Sequence, residues 1–113
     1  MKIFLTGATG FVGSYILGKL VSDRHEVICH IRSSNGIKAI KSLGGNYWLG
    51  NLDDIKSIKS QIKGCEAIIH CAAYLKFWGS EKEFEDANIG ITKNLLDATK
   101  ESKVKRFIFI SAA

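Results

Sequence analysis

A chain of 113 residues is long enough to bury one hydrophobic core but not two. With 46% hydrophobic and 24% charged residues it has the composition of a folded globular domain, which excludes a disordered chain. The net charge of +5 suits an anionic ligand, but the lysines are spread over most predicted helices and mixed with Asp and Glu. That pattern is a solvated surface rather than a basic stripe, and nucleic acid is not an expected partner.

Three cysteines, Cys29, Cys65 and Cys71, form no C-x-x-C pair, and two lie inside apolar runs. Buried, reduced thiols are expected. His25, His30 and His70 lack metal-ligand spacing, so no metal site is expected. Glycines interrupt the opening MKIFLTGATG before a signal-peptide core can form. No apolar run approaches the ~18 residues of a membrane span. These readings predict a cytoplasmic protein with no membrane partner.

In chain order, the first apolar run is Ile3-Phe4-Leu5, within a strand expected over residues 2–5. A glycine-rich turn follows, then a helix whose apolar stripe is Val12, Ile16, Leu17 and Leu20. Val27 to Ile31 reads as a second strand, and residues 35–43 as a short helix ended by Gly44-Gly45. Tyr47-Trp48-Leu49 is a third strand. Asp53 and Asp54 suit the start of a helix with stripe Ile55, Ile58 and Ile62. Ala67 to Cys71 is a fourth strand. A further helix carries Phe84, Ala87, Ile91, Leu95 and Ala98, and Phe107 to Ile110 is a fifth strand. The runs are near-continuous rather than alternating, as in parallel strands covered on both faces. Strand alternating with helix predicts an α/β fold: an open parallel sheet of about five strands flanked by helices.

The turn after the first strand is Thr6-Gly7-Ala8-Thr9-Gly10-Phe11-Val12-Gly13. Placed between a strand and an amphipathic helix, it has the context of a phosphate-cradling loop. Gly7 permits the tight turn, Gly10 lets the backbone approach a diphosphate, and Gly13 lets the helix pack closely on the sheet. The helix start adds unpaired N–H donors and partial positive charge. The expected cofactor-binding residues here are Gly7, Thr9, Gly10, Phe11, Val12 and Gly13. Glycine-rich turns also occur without a ligand, and the βαβ context is what favours the ligand.

The end of the second strand faces the adenosine ribose in dinucleotide folds. An acid there holds the ribose hydroxyls, whereas an arginine accommodates a 2′-phosphate. This strand ends His30-Ile31-Arg32-Ser33, with no acid until Asp53. Arg32 can pair bidentately with phosphate, and Lys38 is near enough to add a second charge. NADP is therefore the expected cofactor, with NAD the alternative. The bland reading of Arg32 is an exposed loop arginine.

The spacing T-G-x-x-G-x-x-G, beginning at Thr6, resembles the loop of the extended short-chain dehydrogenase/reductases, which include sugar-nucleotide epimerases and dihydroflavonol-type reductases. Ile68-Ile69-His70-Cys71-Ala72-Ala73 is similar to that family's H-x-A-A strand. The resemblance implies that Cys71, Ala72 and Ala73 pass near the cofactor. Asn51-Leu52 stands where the family has Asp-Leu beside the adenine, and the Asn51 amide oxygen can still accept from the adenine amino group. Ala73-Tyr74, Phe77-Trp78-Gly79 and Asn88 through Leu96 are similar to the dihydroflavonol-reductase-like subgroup, and 105–111 looks like its fifth strand. Ile91 replaces the glycine of the family's N-x-x-G-T pattern, which is expected to alter how that helix packs. The resemblance implies a Rossmann-type domain, a dinucleotide cofactor and a small-molecule substrate.

Tyr15-x-x-x-Lys19 has the spacing of the family's catalytic pair, but geometry opposes that role. At ~100° per residue, Tyr15 lies about 150° and Lys19 about 110° from the centre of the sheet-facing stripe. Lys19 also sits on the order of 13 Å down the helix from Gly10, away from the strand ends where substrates bind. The resemblance puts the true pair a few tens of residues after the fifth strand. It aligns Ala112 with the catalytic Ser or Thr and Ser111 with the residue before it. No catalytic residue is therefore expected among these 113. Two readings stay open: an incomplete Rossmann domain, residues 1–113, cut before its last strands and substrate domain; or a non-catalytic dinucleotide-binding or redox-sensing module. The first carries a further expectation, self-association through an exposed sheet edge.

Overall fold

The computed structural model describes the backbone of residues 1–73 and 81–112, and the side chains of residues 1–71 and 89–110. Five strands form one parallel sheet: β1 (Lys2–Thr6), β2 (Glu26–Ile31), β3 (Asn46–Leu49), β4 (Ala67–Ala73) and β5 (Arg106–Ala112). Their order across the sheet is β3-β2-β1-β4-β5. Four α-helices connect them: α1 (Phe11–Ser22), α2 (Ile37–Ser42), α3 (Ile55–Ile62) and α4 (Glu81–Thr99). Every predicted strand is present, each extended by at least one residue. The short helix expected over 35–43 is a 3₁₀ turn, Ser34–Gly36, running into α2.

Strand side chains alternate between two cores, one on each face of the sheet. Ile3, Leu5, Val27, Cys29, Ile31 and Ile69 pack with Leu17 of α1 and Ile40 of α2. Phe4 and Ile68 pack with Ile58 and Ile62 of α3 and with Leu95 and Ala98 of α4. Burial on both faces explains why β1, β2 and β4 read as unbroken apolar runs. The α1 stripe faces the first core through Leu17 and, less completely, Ile16 and Leu20. Phe84 and Ala87, assigned to the α4 stripe, have side chains outside the described residues.

Helix ends follow local chemistry. Gly44, at φ +89°, stops α2 in a conformation that an L side chain rarely adopts. Asp54 caps α3, accepting from the Ser57 N–H at 3.2 Å and the Ser57 hydroxyl at 2.7 Å. These bonds favour the ionised carboxylate and hold its pKa below the usual range. Strand order reverses direction between β1 and β4, and open α/β sheets bind ligands beyond the strand ends at such a point.

Candidate dinucleotide site

The glycine loop leaves β1 at that switch point. Gly7 has φ +74°, and a Cβ there would collide with the Cys71 carbonyl of β4. The Gly10 N–H donates to Gly7 O at 3.2 Å, closing a tight turn, and the Ser14 N–H to Gly10 O at 2.9 Å begins α1. Gly10 is the N-cap, and neither a side-chain cap nor an acidic residue occupies the first turn. The N–H groups of Phe11, Val12 and Gly13 thus belong to a helix end built to receive an acceptor.

The three glycines do different things. A Cβ on Gly13 would overlap the Gly7 carbonyl and approach the Ala8 Cα, so the close contact expected against the sheet is made against the loop itself. At Gly10 the nearest atom to a Cβ is Gly7 O, at an ordinary 3.5 Å. Among the described residues, no other atom comes within 4 Å of that position. Thr9, Gly10, Phe11 and Val12 are all exposed there.

The segment after β2 closes against this loop. A Cβ on Gly36 would stand 2.7 Å from Thr9 Cγ2 and 3.3 Å from Ile31 Cγ2, so the 3₁₀ turn packs directly on Thr9. Arg32 and Lys38 are both exposed, and neither is in an ion pair among the described residues. Arg32 lines an open groove of about 640 Å³ with His30, Leu49, Gly50, Asn51, Leu52, Asp53 and Ile91. Lys38 does not line it.

Several bonds build the groove. The His30 Nε2–H donates to Gly50 O at 2.7 Å, and the Gly50 N–H to Ile31 O at 3.2 Å. The Trp48 indole lies over Gly50, leaving no room for a side chain there, and its ring is 5.4 Å from the His30 ring. Asn94 Nδ2 reaches across from α4 to Leu52 O at 3.1 Å. Asn51 Oδ1 accepts from the Asp53 N–H at 2.8 Å. The amide oxygen expected to face an adenine amino group thus accepts one bond within the turn and keeps a second acceptor site. Ile91, expected only to alter helix packing, forms part of the groove wall and packs on the second core.

His70 Nδ1 is hydrogen-bonded to Thr6 Oγ1 in β1, while its Nε2 is buried with no partner among the described residues. Burial holds the His70 imidazole below its ordinary pKa, and the neighbouring His30 adds to the effect. Burial likewise lowers His30; its bond to Gly50 opposes this and the Arg32 charge reinforces it. Burial pushes the Cys29 thiol up to about 12 and raises Cys65 and Cys71, so all three cysteines are un-ionised thiols at neutral pH, not nucleophiles. They are also free of disulfides, and among the described residues no His/Cys/Asp/Glu cluster could hold a metal.

Cys71, Ala72 and Ala73 run along β4 beside the glycine loop, with the side chains of Ala72 and Ala73 outside the described residues. Tyr74, Phe77-Trp78-Gly79 and the Asn88 side chain also lie outside them, as do the side chains of Ser111 and Ala112. Tyr15 is 74% exposed and Lys19 is exposed, on the side of α1 away from the sheet. Sequence reasoning missed His30, Leu49, Gly50, Asp53 and Asn94 as builders of the groove. The strand alternation that sends Ile28 and His30 to the same face was the signal available for His30.

Comparison with known proteins gives a consistent family. The sequence model of the "NAD dependent epimerase/dehydratase family" matches residues 3–113. The sterol-4-alpha-carboxylate 3-dehydrogenase, decarboxylating, of Dictyostelium discoideum is 35% identical over 98% of this chain and 35% of its own length. Vestitone reductase from alfalfa is 26% identical, with a TM-score of 0.77 over 96% of this chain and 35% of that one. A UDP-glucose-4-epimerase from Stenotrophomonas maltophila, solved with NAD and formylated UDP-arabinopyranose, shares the fold at a TM-score of 0.86 and 22% identity. It is matched over 100% of this chain and 37% of its own. The chain thus spans about a third of the length of such relatives. Among the described residues, no helix is long and apolar enough to cross a membrane.

Proposed function

Because the chain belongs to the NAD dependent epimerase/dehydratase family, we propose that residues 1–113 are the cofactor-binding portion of an NADP(H)-dependent enzyme. The enzyme is an oxidoreductase or epimerase-like protein acting on a carbonyl or hydroxyl group of a small molecule, in the cytoplasm. The observation that carries this reading is the space at Gly10 left open by the described residues, in front of a helix start that no side chain caps.

Each part of the site then has a task. The first-turn N–H groups of α1 hold the diphosphate, with Gly7 and Gly13 keeping loop and helix in contact. Arg32 takes the 2′-phosphate, with Lys38 a second positive charge on the same side. The groove from His30 to Asp53 receives the base, and the β4 segment Cys71 to Ala73 borders the nicotinamide half. The bound cofactor supplies hydride transfer. This reading assigns no catalytic group to residues 1–113 and treats them as one incomplete Rossmann domain.

Arg32 supplies the test. The chain is expected to bind NADPH more tightly than NADH. Charge-assisted hydrogen bonds are worth about 1.5–3 kcal/mol, so Arg32→Asp should reverse the order. Equal calorimetric titrations of both cofactors, before and after the change, would sink the NADP assignment.

A further inference from the structure

Gly36 is a glycine because of its place and not because of its backbone. Its φ of −84° and ψ of −11° belong to an ordinary turn that any L residue adopts. A Cβ there would nevertheless stand 2.7 Å from Thr9 Cγ2 and 3.3 Å from Ile31 Cγ2. A side chain at position 36 would thus be a wedge between the glycine loop and the end of β2.

Neither wall yields easily. Ile31 is buried in the first core, and threonine is short and stiff at χ1. The turn is also pinned on both sides, by Ile31 before it and by Ile37 and Ile40 of α2 after it, all packed on that core. A wedge is therefore relieved by lifting the turn away from Thr9. The Gly36 N–H donates to Ser33 O at 3.4 Å, so the residue next to Arg32 moves with Gly36. Lys38 follows two positions later. In the proposed site Thr9 belongs to the diphosphate loop, while Arg32 and Lys38 flank the turn that packs on it. The ribose fixes the span between diphosphate and 2′-phosphate, so the gap between loop and turn decides whether the Arg32 charge reaches the second group.

We infer that the absence of a side chain at Gly36 is a determinant of cofactor choice: it lets the Arg32 turn close on Thr9 and grip a 2′-phosphate. The inference rests on the proposed dinucleotide site with Arg32 at the ribose.

NADPH and NADH differ only by the 2′-phosphate, so the ratio of their Kd values isolates that group. Calorimetric titrations of both cofactors into the parent, Gly36→Ala, Thr9→Ser and the double variant test the inference. Alanine adopts the Gly36 backbone without strain, and Gly36→Ala should lower the NADPH preference about tenfold, the scale of one charge-assisted hydrogen bond. Thr9→Ser removes Cγ2 and keeps the hydroxyl. Adding Gly36→Ala to it should therefore change the ratio by less than about threefold. A merely structural role would weaken both cofactors alike and leave the ratio where it was, which would overturn the inference. A tenfold fall in both backgrounds would overturn Thr9 as the wall that matters. Equal binding of NADPH and NADH by the parent would remove the inference together with the Arg32 assignment, leaving the dinucleotide site standing. Failure of the parent to bind either cofactor would remove the site as well.

Discussion

At the scale of single residues, similar sequence features have different physical fates. Gly7 and Gly13 are glycines because protein atoms occupy the space a Cβ needs, whereas among the described residues nothing crowds a Cβ at Gly10. Tyr15 and Lys19 match a catalytic spacing yet stand on the outer side of α1. Tyr15→Phe and Lys19→Ala should therefore change stability and NADPH affinity by less than about 0.5 kcal/mol, as surface changes do. A tenfold loss of affinity in either variant would return them to the site. His30 and His70 give a pH dependence. Burial depresses both folded-state pKa values below 6.5, and a charged His70 would carry an N–H on the buried Nε2, which has no partner among the described residues. The unfolded chain therefore takes up protons first as pH falls. Stability should be full above the unfolded value and decline as pH falls through about 6.5 towards the folded-state values. Urea melts between about pH 8 and pH 5 measure this, and a midpoint that stays level or rises on acidification contradicts it.

At the scale of elements, the strands and helices were legible because each carries its own periodic signal. Near-continuous runs such as Val27 to Ile31 became strands buried from two sides. The stripe Ile55, Ile58 and Ile62 became α3 behind the Asp54 cap. The glycine loop was legible for the same reason, since its chemistry lies within eight consecutive residues. The groove was not legible, because His30, Gly50, Asp53 and Ile91 come from separate segments that only strand register and the α3–α4 packing bring together. The bond between the Asn51 oxygen and the Asp53 N–H was not legible either, because it is a feature of the folded turn and not of composition. One element carries a prediction about association. β5 pairs with β4 on one side and forms the sheet edge on the other, with Ile108 45% and Phe109 49% exposed. Such an edge offers unpaired backbone groups beside apolar side chains. The 113-residue chain is expected to sediment as dimers or larger species, and Ile108→Lys should shift it towards monomer. A monomeric parent that the substitution leaves unchanged would contradict this.

At the scale of the whole molecule, the parallel sheet brings a glycine-rich loop, an arginine and a groove of mixed polarity to the same ends of adjacent strands. Turnover that depends on Tyr15 or Lys19 is not expected, since both are exposed on α1. The central claim is that the space beside Gly10 belongs to a dinucleotide. Calorimetric titration of NADPH into the parent chain and Gly10→Val tests it most directly. The first added atom finds ordinary contact with Gly7 O at 3.5 Å, so the variant should melt like the parent. It should nevertheless lose NADPH binding, because a branched side chain fills the diphosphate's place. Saturable binding by the parent and none by a folded Gly10→Val is the predicted result. Equal binding by both, or none by the parent, would contradict the account.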